Sequence, residues 1–488
     1  MRLAPLRLRP SGPPPAPMDR GRAIGHQAFY SACYAPFTSL HLEPSGNVKA
    51  CCMNQWHSLG NVADSSLQEI WHGEPLRRLR AAVAERDLTL GCEQCASHAS
   101  RGTPESAQMR VFDPYPAHDP DPAWPTNLEL ALSNTCNLQC VMCNGELSSS
   151  IRSQRERRAP LPQVYGERFF EELDEFLPHL DSVTFLGGEP FLARGPLRVM
   201  ERLVDRGLSP ACSVITNGTQ LDDRVRRLVT TLPMHVSVSV DGVTRETLEG
   251  IRVGVDRDRL RAHVRELRSL VAGSGGGMAL SFSLMRQNWH ELGAVLAWAD
   301  ELDCDVYVVK VFDPGRFSLH HCDEVELAQV REALAREDRA RGRQLGRNME
   351  TWREQLDWVD GLARRSEGVP VALGATPVAA SPPAPVAGDG ATVRTDGDMI
   401  ITEVDQERGG LVGMDLTALR GQTMLDLQRA LVARLGDLRS SEVAYRADGA
   451  QELVVQLEGE GAVTVLEVVM DVDVHGGHRW QLRVRPTS

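Results

Sequence analysis

The sequence predicts an α/β protein built on a partial (β/α)6 barrel of the TIM type, with a small cysteine-bearing domain before it and a small α+β domain after it. Three observations carry this. Apolar, β-branched runs recur at residues 128–133, 182–186, 212–215, 235–240, 278–284 and 305–312. Helical patterns fill the gaps, at 169–177, 197–206, 260–271 and 292–302, so parallel pairing through right-handed crossovers is expected. Six such units occupy roughly 200 residues, whereas a closed eight-stranded barrel usually needs about 250.

Taken in chain order, residues 1–24 read as a disordered tail: they are rich in Arg and Pro and lack the apolar stretch of a secretory signal. Residues 25–100 hold a group of cysteines, Cys33, Cys51, Cys52, Cys92 and Cys95. Residues 37–42 and 48–51 read as two strands joined by the turn Pro44-Ser45-Gly46-Asn47, a hairpin with thiols at both ends. A helix opening at Ser65 and running through Ile70, Trp71 and Leu79 then returns the chain to Cys92-Glu93-Gln94-Cys95. Four thiols so placed suit one metal centre, either zinc or an iron-sulfur cluster. Residues 101–126, with six prolines, read as an extended linker or a strap across a domain face.

The barrel, residues 127–365, carries its polar motifs at strand ends. Cys136, Cys140 and Cys143 follow the first run, Gly187-Gly188-Glu189-Pro190 the second, Thr216-Asn217-Gly218 the third and Asp241-Gly242 the fourth. In a parallel barrel those ends share one face, which is where an active site forms. At spacing i, i+4 and i+7 the three cysteines could instead line one face of a buried helix. Asn134, Thr135 and Asn137 favour a loop, because short polar side chains compete for backbone hydrogen bonds. Three thiolates on a cubane cluster leave one iron open for a small molecule, where a structural site would use four. Arg152, Arg155, Arg157 and Arg158 downstream read as a solvated helix face, with gating of an acidic substrate as the alternative. Residues 325–358 are expected to finish the barrel with two helices, the first capped by Asp323.

At the C-x3-C-x2-C loop the chain resembles the radical S-adenosylmethionine (radical SAM) enzymes, and the ordered strand-end motifs strengthen that resemblance. The N-terminal layout, C-x(9–15)-G-x4-C and then C-x2-C, is similar to the twitch domain, a short relative of the SPASM auxiliary-cluster domain. The resemblance implies a [4Fe-4S] cluster on Cys136, Cys140 and Cys143 that binds S-adenosylmethionine. It implies a second, auxiliary [4Fe-4S] cluster on Cys33, Cys51, Cys92 and Cys95, with Cys52 spare. Gly187, Gly188 and Glu189 would hold the methionine amino group, Ser239 and Asp241 the ribose hydroxyls, and Arg252 the carboxylate; Asn288 also matches a family position. Met142 stands where the family usually has an aromatic residue near the adenine. The implied reaction is reductive cleavage of S-adenosylmethionine to a deoxyadenosyl radical that takes hydrogen from substrate. The implied partners are a peptide or protein substrate and an electron donor such as flavodoxin or ferredoxin. The alternatives are a dehydrogenase of a small sugar or cyclitol and, in another class, a non-catalytic zinc or iron-sulfur protein.

Residues 366–393 are Pro-, Ala- and Gly-rich and read as a linker. Residues 394–488 read as an α+β domain with strands at 398–404, 442–445, 453–457, 463–470 and 480–484 and a helix at 423–435, weakly similar to a PAS-like fold. Composition sets the outer limits. The chain has 488 residues and a net charge of −13, which disfavours nucleic acid and anionic membrane as partners. It has no apolar run long enough to span a bilayer. Its eleven cysteines cluster as metal-ligand motifs rather than as a disulfide framework, so a reducing cytoplasm is the expected compartment.

Overall fold

The computed structural model describes residues 22–54, 57–100, 107–312, 314–341 and 344–366, together with Asp19, Leu416, Arg420 and six strands between 390 and 486. In chain order the strands of the first part are β1 (Ser39–Leu42), β2 (Asn47–Lys49), β3 (Gly60–Asn61), β4 (Asn127–Leu130), the two-residue β5 (Gln139–Cys140), β6 (Ser182–Phe185), β7 (Ala211–Thr216), β8 (Met234–Ser239), the two-residue β9 (Arg252–Val253), β10 (Gly277–Leu284) and β11 (Asp305–Lys310). One sheet runs β11-β10-β8-β7-β6-β4-β1-β2-β3. Its strands β4, β6, β7, β8, β10 and β11 are the six expected runs, all parallel.

Side-chain alternation explains why this sheet curls around an interior. Leu128, Val183, Val214, Val236 and Leu280 point outward and are buried under helices. One of these helices, Arg194–Asp205, buries Leu197, Met200 and Leu203, and the helix Arg257–Gly273 buries Leu260, Val264 and Leu267. Asp222, Thr244 and Asp256 cap their helices by accepting from the backbone N–H groups of Val225, Thr247 and Arg259. The two closing helices are Glu324–Arg341 and Met349–Ser366, and Asp323 caps the first by accepting from Glu326 N at 2.8 Å.

The hairpin is not a free-standing unit. β1 pairs parallel with β4, Ser39 opposite Asn127 and Leu42 opposite Leu130, so the N-terminal segment adds three strands to the barrel's first edge. Buried side chains form one continuous core from Ala32 to Ala363. The helix expected from Ser65 is capped one residue later, at Ser66, by a reciprocal bond with Glu69. The proline segment is a strap: Met109 and Phe112 are buried, Trp71 Nε1 donates to Pro122 O at 2.8 Å, and Arg80 pairs with Asp121 at 3.0 Å.

In the last part, β12 (Gly390–Thr395), β13 (Ile401–Gln406), β14 (Asp437–Tyr445), β15 (Gln451–Gly459), β16 (Ala462–Val472) and β17 (His478–Pro486) form an antiparallel sheet in the order β13-β12-β17-β16-β15-β14. The linker expected to end at residue 393 therefore ends earlier, because its last residues pair with β17 as β12. The strand expected at 398–404 lies at Ile401–Gln406. The expected helix 423–435 and tail residues 1–18 fall outside the described residues.

Candidate active site

The cysteine loop begins where β4 ends and is fastened from three sides. Ser150 Oγ donates to Cys136 O at 2.7 Å, Ser148 Oγ to Leu138 O at 2.7 Å, and Asn134 Nδ2 to Gly145 O at 2.9 Å. The middle of the loop is a short ladder: β5 pairs antiparallel with β9, Cys140 opposite Arg252. The loop expected from the polar residues is therefore present, with a two-residue strand inside it.

Gly187 and Gly188 let the end of β6 press against this loop. A Cβ on Gly188 would lie 2.4 Å from Thr135 O, and one on Gly187, whose φ is +108°, would lie 2.9 Å from Ser133 O. Their backbone meets the lead-in to the cysteines. Glu189 is fully buried, and its carboxylate accepts from Thr216 Oγ1 at 2.7 Å, Asn217 N at 2.6 Å and Phe191 N at 3.0 Å. Its proton affinity is raised by burial, which those three donors only partly offset. The charge expected near an ammonium is thus tied to neighbouring protein groups.

Asp241, also fully buried, accepts from Ser283 N at 2.7 Å through one oxygen, while the other lies 2.7 Å from Arg252 Nε. Asp241 and Arg252 thus form a buried ion pair beside the cysteine loop. Arg252 Nη1 stands 3.8 Å from Cys140 Sγ, and Asn217 Nδ2 stands 3.7 Å from Cys136 Sγ. Ser239 is buried on β8, opposite Ser281 of β10. Asn288 locks the same corner, donating to Asp241 O at 3.0 Å and Ser283 O at 2.9 Å. Met142 packs with Val141 against Ile251, Met285, Val311 and Phe317, a small apolar cluster separate from the main core.

All three thiols are free, and burial raises each above the ordinary thiol range. Cys143, at about 12, is pushed further by the sulfurs of Cys140 and Cys136. Proximity of three sulfurs and a guanidinium beside one of them suit an anionic thiolate cluster.

The second group is assembled from distant segments. Cys33, Cys51, Cys92 and Cys95 come together: burial and the sulfurs of Cys33, Cys51 and Cys95 all raise Cys92, and burial with Cys51 and Cys95 raises Cys33. Cys52 is raised by burial and then by Glu129 and Cys51. Asn54 Nδ2 lies 3.6 Å from Cys92 Sγ. Among the described residues no three Cys, His, Asp or Glu side chains converge tightly enough to hold a single ion.

Between the two groups lies the barrel interior. His41 of β1 and Glu129 of β4 pair at 2.9 Å on its wall. Thr184, Ser213, His235, Ser237, Ser239, Ser281 and Ser283 continue the inward rows, and Ile215, Tyr307 and Val309, with Phe312 beyond β11, are 45–58% exposed.

Sequence reasoning missed three contacts. Asn217 was visible only as part of a turn motif, Asn54 carried no signal, and the arginine run did not read as part of the loop. In fact Ile151–Arg155 is a π-helical turn wrapped on the cysteines: Arg155 donates to Cys140 O at 3.3 Å and to Cys143 O.

Residues 33–96 match the SPASM family, an iron-sulfur cluster-binding domain, and residues 130–298 match the radical SAM superfamily. Among curated proteins, the chain is similar to GTP 3',8-cyclase of Caulobacter vibrioides, 23% identical over 222 residues, which is 43% of this chain and 59% of that protein. It is also similar to a probable GTP 3',8-cyclase of Methanocella arvoryzae, 31% identical over 128 residues, 25% of this chain and 36% of that one. The matches thus span less than two thirds of these relatives. Among solved structures, Streptococcus suis SuiB bound to precursor peptide SuiA has a TM-score of 0.34 and 16% identity, covering 58% of this chain and 54% of that one. Native anSMEcpe with bound AdoMet has a TM-score of 0.35 and 20% identity, covering 45% and 63%. No helix among the described residues is long and apolar enough to cross a membrane. The chain belongs to the radical SAM superfamily, with a SPASM iron-sulfur domain ahead of its barrel, and its cofactors are a [4Fe-4S] cluster, S-adenosylmethionine and an auxiliary iron-sulfur cluster.

Proposed function

We propose that the protein oxidatively modifies a peptide or protein substrate. Cys136, Cys140 and Cys143 hold the S-adenosylmethionine cluster, and Cys33, Cys51, Cys92 and Cys95 the auxiliary one. Gly187, Gly188, Glu189, Ser239, Asp241 and Arg252 form the wall against which S-adenosylmethionine binds. The loaded site supplies one-electron reductive cleavage of S-adenosylmethionine to a deoxyadenosyl radical that takes hydrogen from substrate. The chain's own residues set the rest: Glu189 and Asp241 fix neighbouring strand ends, and Arg252 faces Cys140 with positive charge.

The observation that carries the substrate class is the open interior. Ile215, Tyr307, Val309 and Phe312 offer apolar contact area to side chains, which a polar small molecule would leave unused. The inward positions of β4, β6, β7, β8, β10 and β11 carry no Lys or Arg, and the inward Lys49 of β2 is already paired with Glu43 at 2.5 Å, a poor match to the triphosphate in the names of the cyclase relatives. A small sugar or cyclitol is the second reading, favoured by the hydroxyl row of Thr184, Ser213, Ser237 and Ser281.

Anaerobically reconstituted protein with dithionite is expected to convert S-adenosylmethionine to deoxyadenosine. A pool of peptides should raise that rate above the substrate-free level, and a panel of cyclitols and sugars should not. Stimulation by the cyclitols alone would replace the peptide reading, and no cleavage at all would overturn the enzymatic one.

A further inference from the structure

We propose that the open edge of β11 receives the peptide substrate as an added strand, held through its backbone and laid toward the cysteine loop. This rests on the reading of the substrate as a peptide. The two edges of the barrel sheet differ. Beside β4 the chain supplies its own cover, since β1, β2 and β3 continue the sheet there. At the opposite edge, β11 pairs with β10 alone among the described residues. An uncovered edge is a template for any extended chain, and proteins usually blunt one with charge, proline or a covering element. β11 has no proline, and its two charged residues are already engaged. Asp305 at its start lies 3.5 Å from Arg347, and Lys310 at its end holds its ammonium 5.7 Å from the centre of the Trp358 ring. The run between them is neutral and suits an uncharged stretch of chain.

The direction of the free backbone groups follows from two bonds. Successive residues of a strand point their N–H and C=O groups to opposite sides. Val306 N donates to Asn348 Oδ1 at 2.9 Å, and Val311 N to Leu284 O of β10 at 3.3 Å, so the odd-numbered residues face β10 and the backbone groups of Val306, Val308 and Lys310 face away from it. Asn348 is itself fixed, donating to Asp300 Oδ1 at 2.8 Å and Cys304 O at 3.0 Å, and it closes the N-terminal end of the edge. The stretch left open, at Val308 and Lys310, is therefore at the C-terminal end, where a parallel barrel carries its active site. Alternating N–H and C=O groups are matched by another extended backbone, whereas a helix has already used its own. Side chains give the direction of approach. Tyr307 and Val309 point into the barrel and are 51% and 54% exposed. Val311, next in that row, packs with Ile251, Met285 and Phe317 against Val141 and Met142, which lie between Cys140 and Cys143. Val309 stands opposite Ser283, whose N–H is held by Asp241. A strand added beside Val308 and Lys310 thus runs its alternate side chains along Tyr307 and Val309 and arrives at the S-adenosylmethionine wall.

The test uses full-length reconstituted enzyme with S-adenosylmethionine, without oxygen, and the neutral probe peptide Thr-Val-Thr-Val-Thr-Val-Thr-amide, fluorophore-labelled for affinity and unlabelled for hydrogen exchange. In the parent, the peptide should slow amide exchange across residues 305–312 and leave β13 and β14, the edges of the C-terminal sheet, unchanged. Val308→Pro removes one outward N–H and should weaken affinity by about tenfold, with Val308→Ile within about twofold of the parent. Protection at β13 or β14 in place of β11, no protection anywhere, or equal affinity in Val308→Pro and the parent would overturn the proposal. So would protection of 305–312 that grows with enzyme concentration in the absence of peptide, because a second copy of the chain would then be the occupant. The exchange arm needs only the parent, so it decides the matter even where Val308→Pro does not fold. Protection of 305–312 while no peptide of the pool accelerates deoxyadenosine formation would strike the substrate reading and leave the edge as a peptide site; acceleration without that protection would do the reverse.

Discussion

The two cysteine sites are built on opposite principles. Cys136, Cys140 and Cys143 lie within eight consecutive residues, while Cys33, Cys51, Cys92 and Cys95 come from segments spread across the whole N-terminal region. The first is a local loop held by serine hydroxyls and a two-residue ladder. The second exists only after the hairpin has joined β4 and the helix Glu93–Ser100 has been brought back to it. A local site lets chemistry be lost without loss of fold, whereas a site that ties distant segments couples ligand binding to folding.

The sharpest way to break this contrast is one substitution in each site. Cys140→Ala should reduce deoxyadenosine formation by at least about 100-fold, with thermal unfolding nearly unchanged, since the loop keeps its backbone bonds. Cys92→Ala should do the reverse, removing about one cluster's iron and lowering the unfolding temperature while S-adenosylmethionine cleavage stays within about threefold. Equal thermal loss in both variants would contradict the distinction.

A smaller effect is expected where the loop meets β6. Gly188→Ala forces a methyl to within 2.4 Å of Thr135 O and should cost roughly 1–3 kcal/mol by denaturant unfolding, with weaker cluster retention. Gly273→Ala, at the end of a helix with nothing within 4 Å, should be neutral or slightly stabilising.

The smallest effects are in pH dependence, and their signs differ. Burial works against ionisation of Glu291, but its bonds from Thr244, Thr247 and Val243 outweigh burial and hold its proton affinity below the ordinary 4.5. Its contribution is present above that value and is lost as pH falls through the lower folded value. Glu189 is shifted upward by burial, so its contribution is full below 4.5 and is lost as pH rises through the higher folded value. Unfolding temperatures recorded from pH 3 to about pH 7 should therefore show Glu291→Gln flattening the acid limb and Glu189→Gln flattening the limb above it. The same slope in both variants would refute this assignment.

These contrasts also explain what the sequence made legible. The six barrel strands were readable because Leu128, Val183, Val214, Val236 and Leu280 alternate with polar inward residues. The three-thiol loop was readable because its spacing is local. The union of β1 with β4 was not, since a parallel pairing between residues 39 and 127 leaves no short-range pattern. Nor were the protein partners of Glu189, because Thr216 and Asn217 belong to the next strand end and only the fold brings them to it. Arg155 looked like a solvated residue for the same reason: its partners are backbone carbonyls, which sequence composition does not distinguish.

The central claim is that one chain holds two independent clusters, only one of which meets S-adenosylmethionine. Iron content combined with low-temperature electron paramagnetic resonance of the dithionite-reduced protein tests it directly. The account predicts about eight iron atoms per chain in the parent and about four in each of two variants, one lacking Cys136, Cys140 and Cys143 and the other lacking Cys33, Cys51, Cys92 and Cys95. Added S-adenosylmethionine should shift the signal only in the variant that keeps the first set. A single cluster in the parent, or a shift in the variant without Cys136, Cys140 and Cys143, would contradict it.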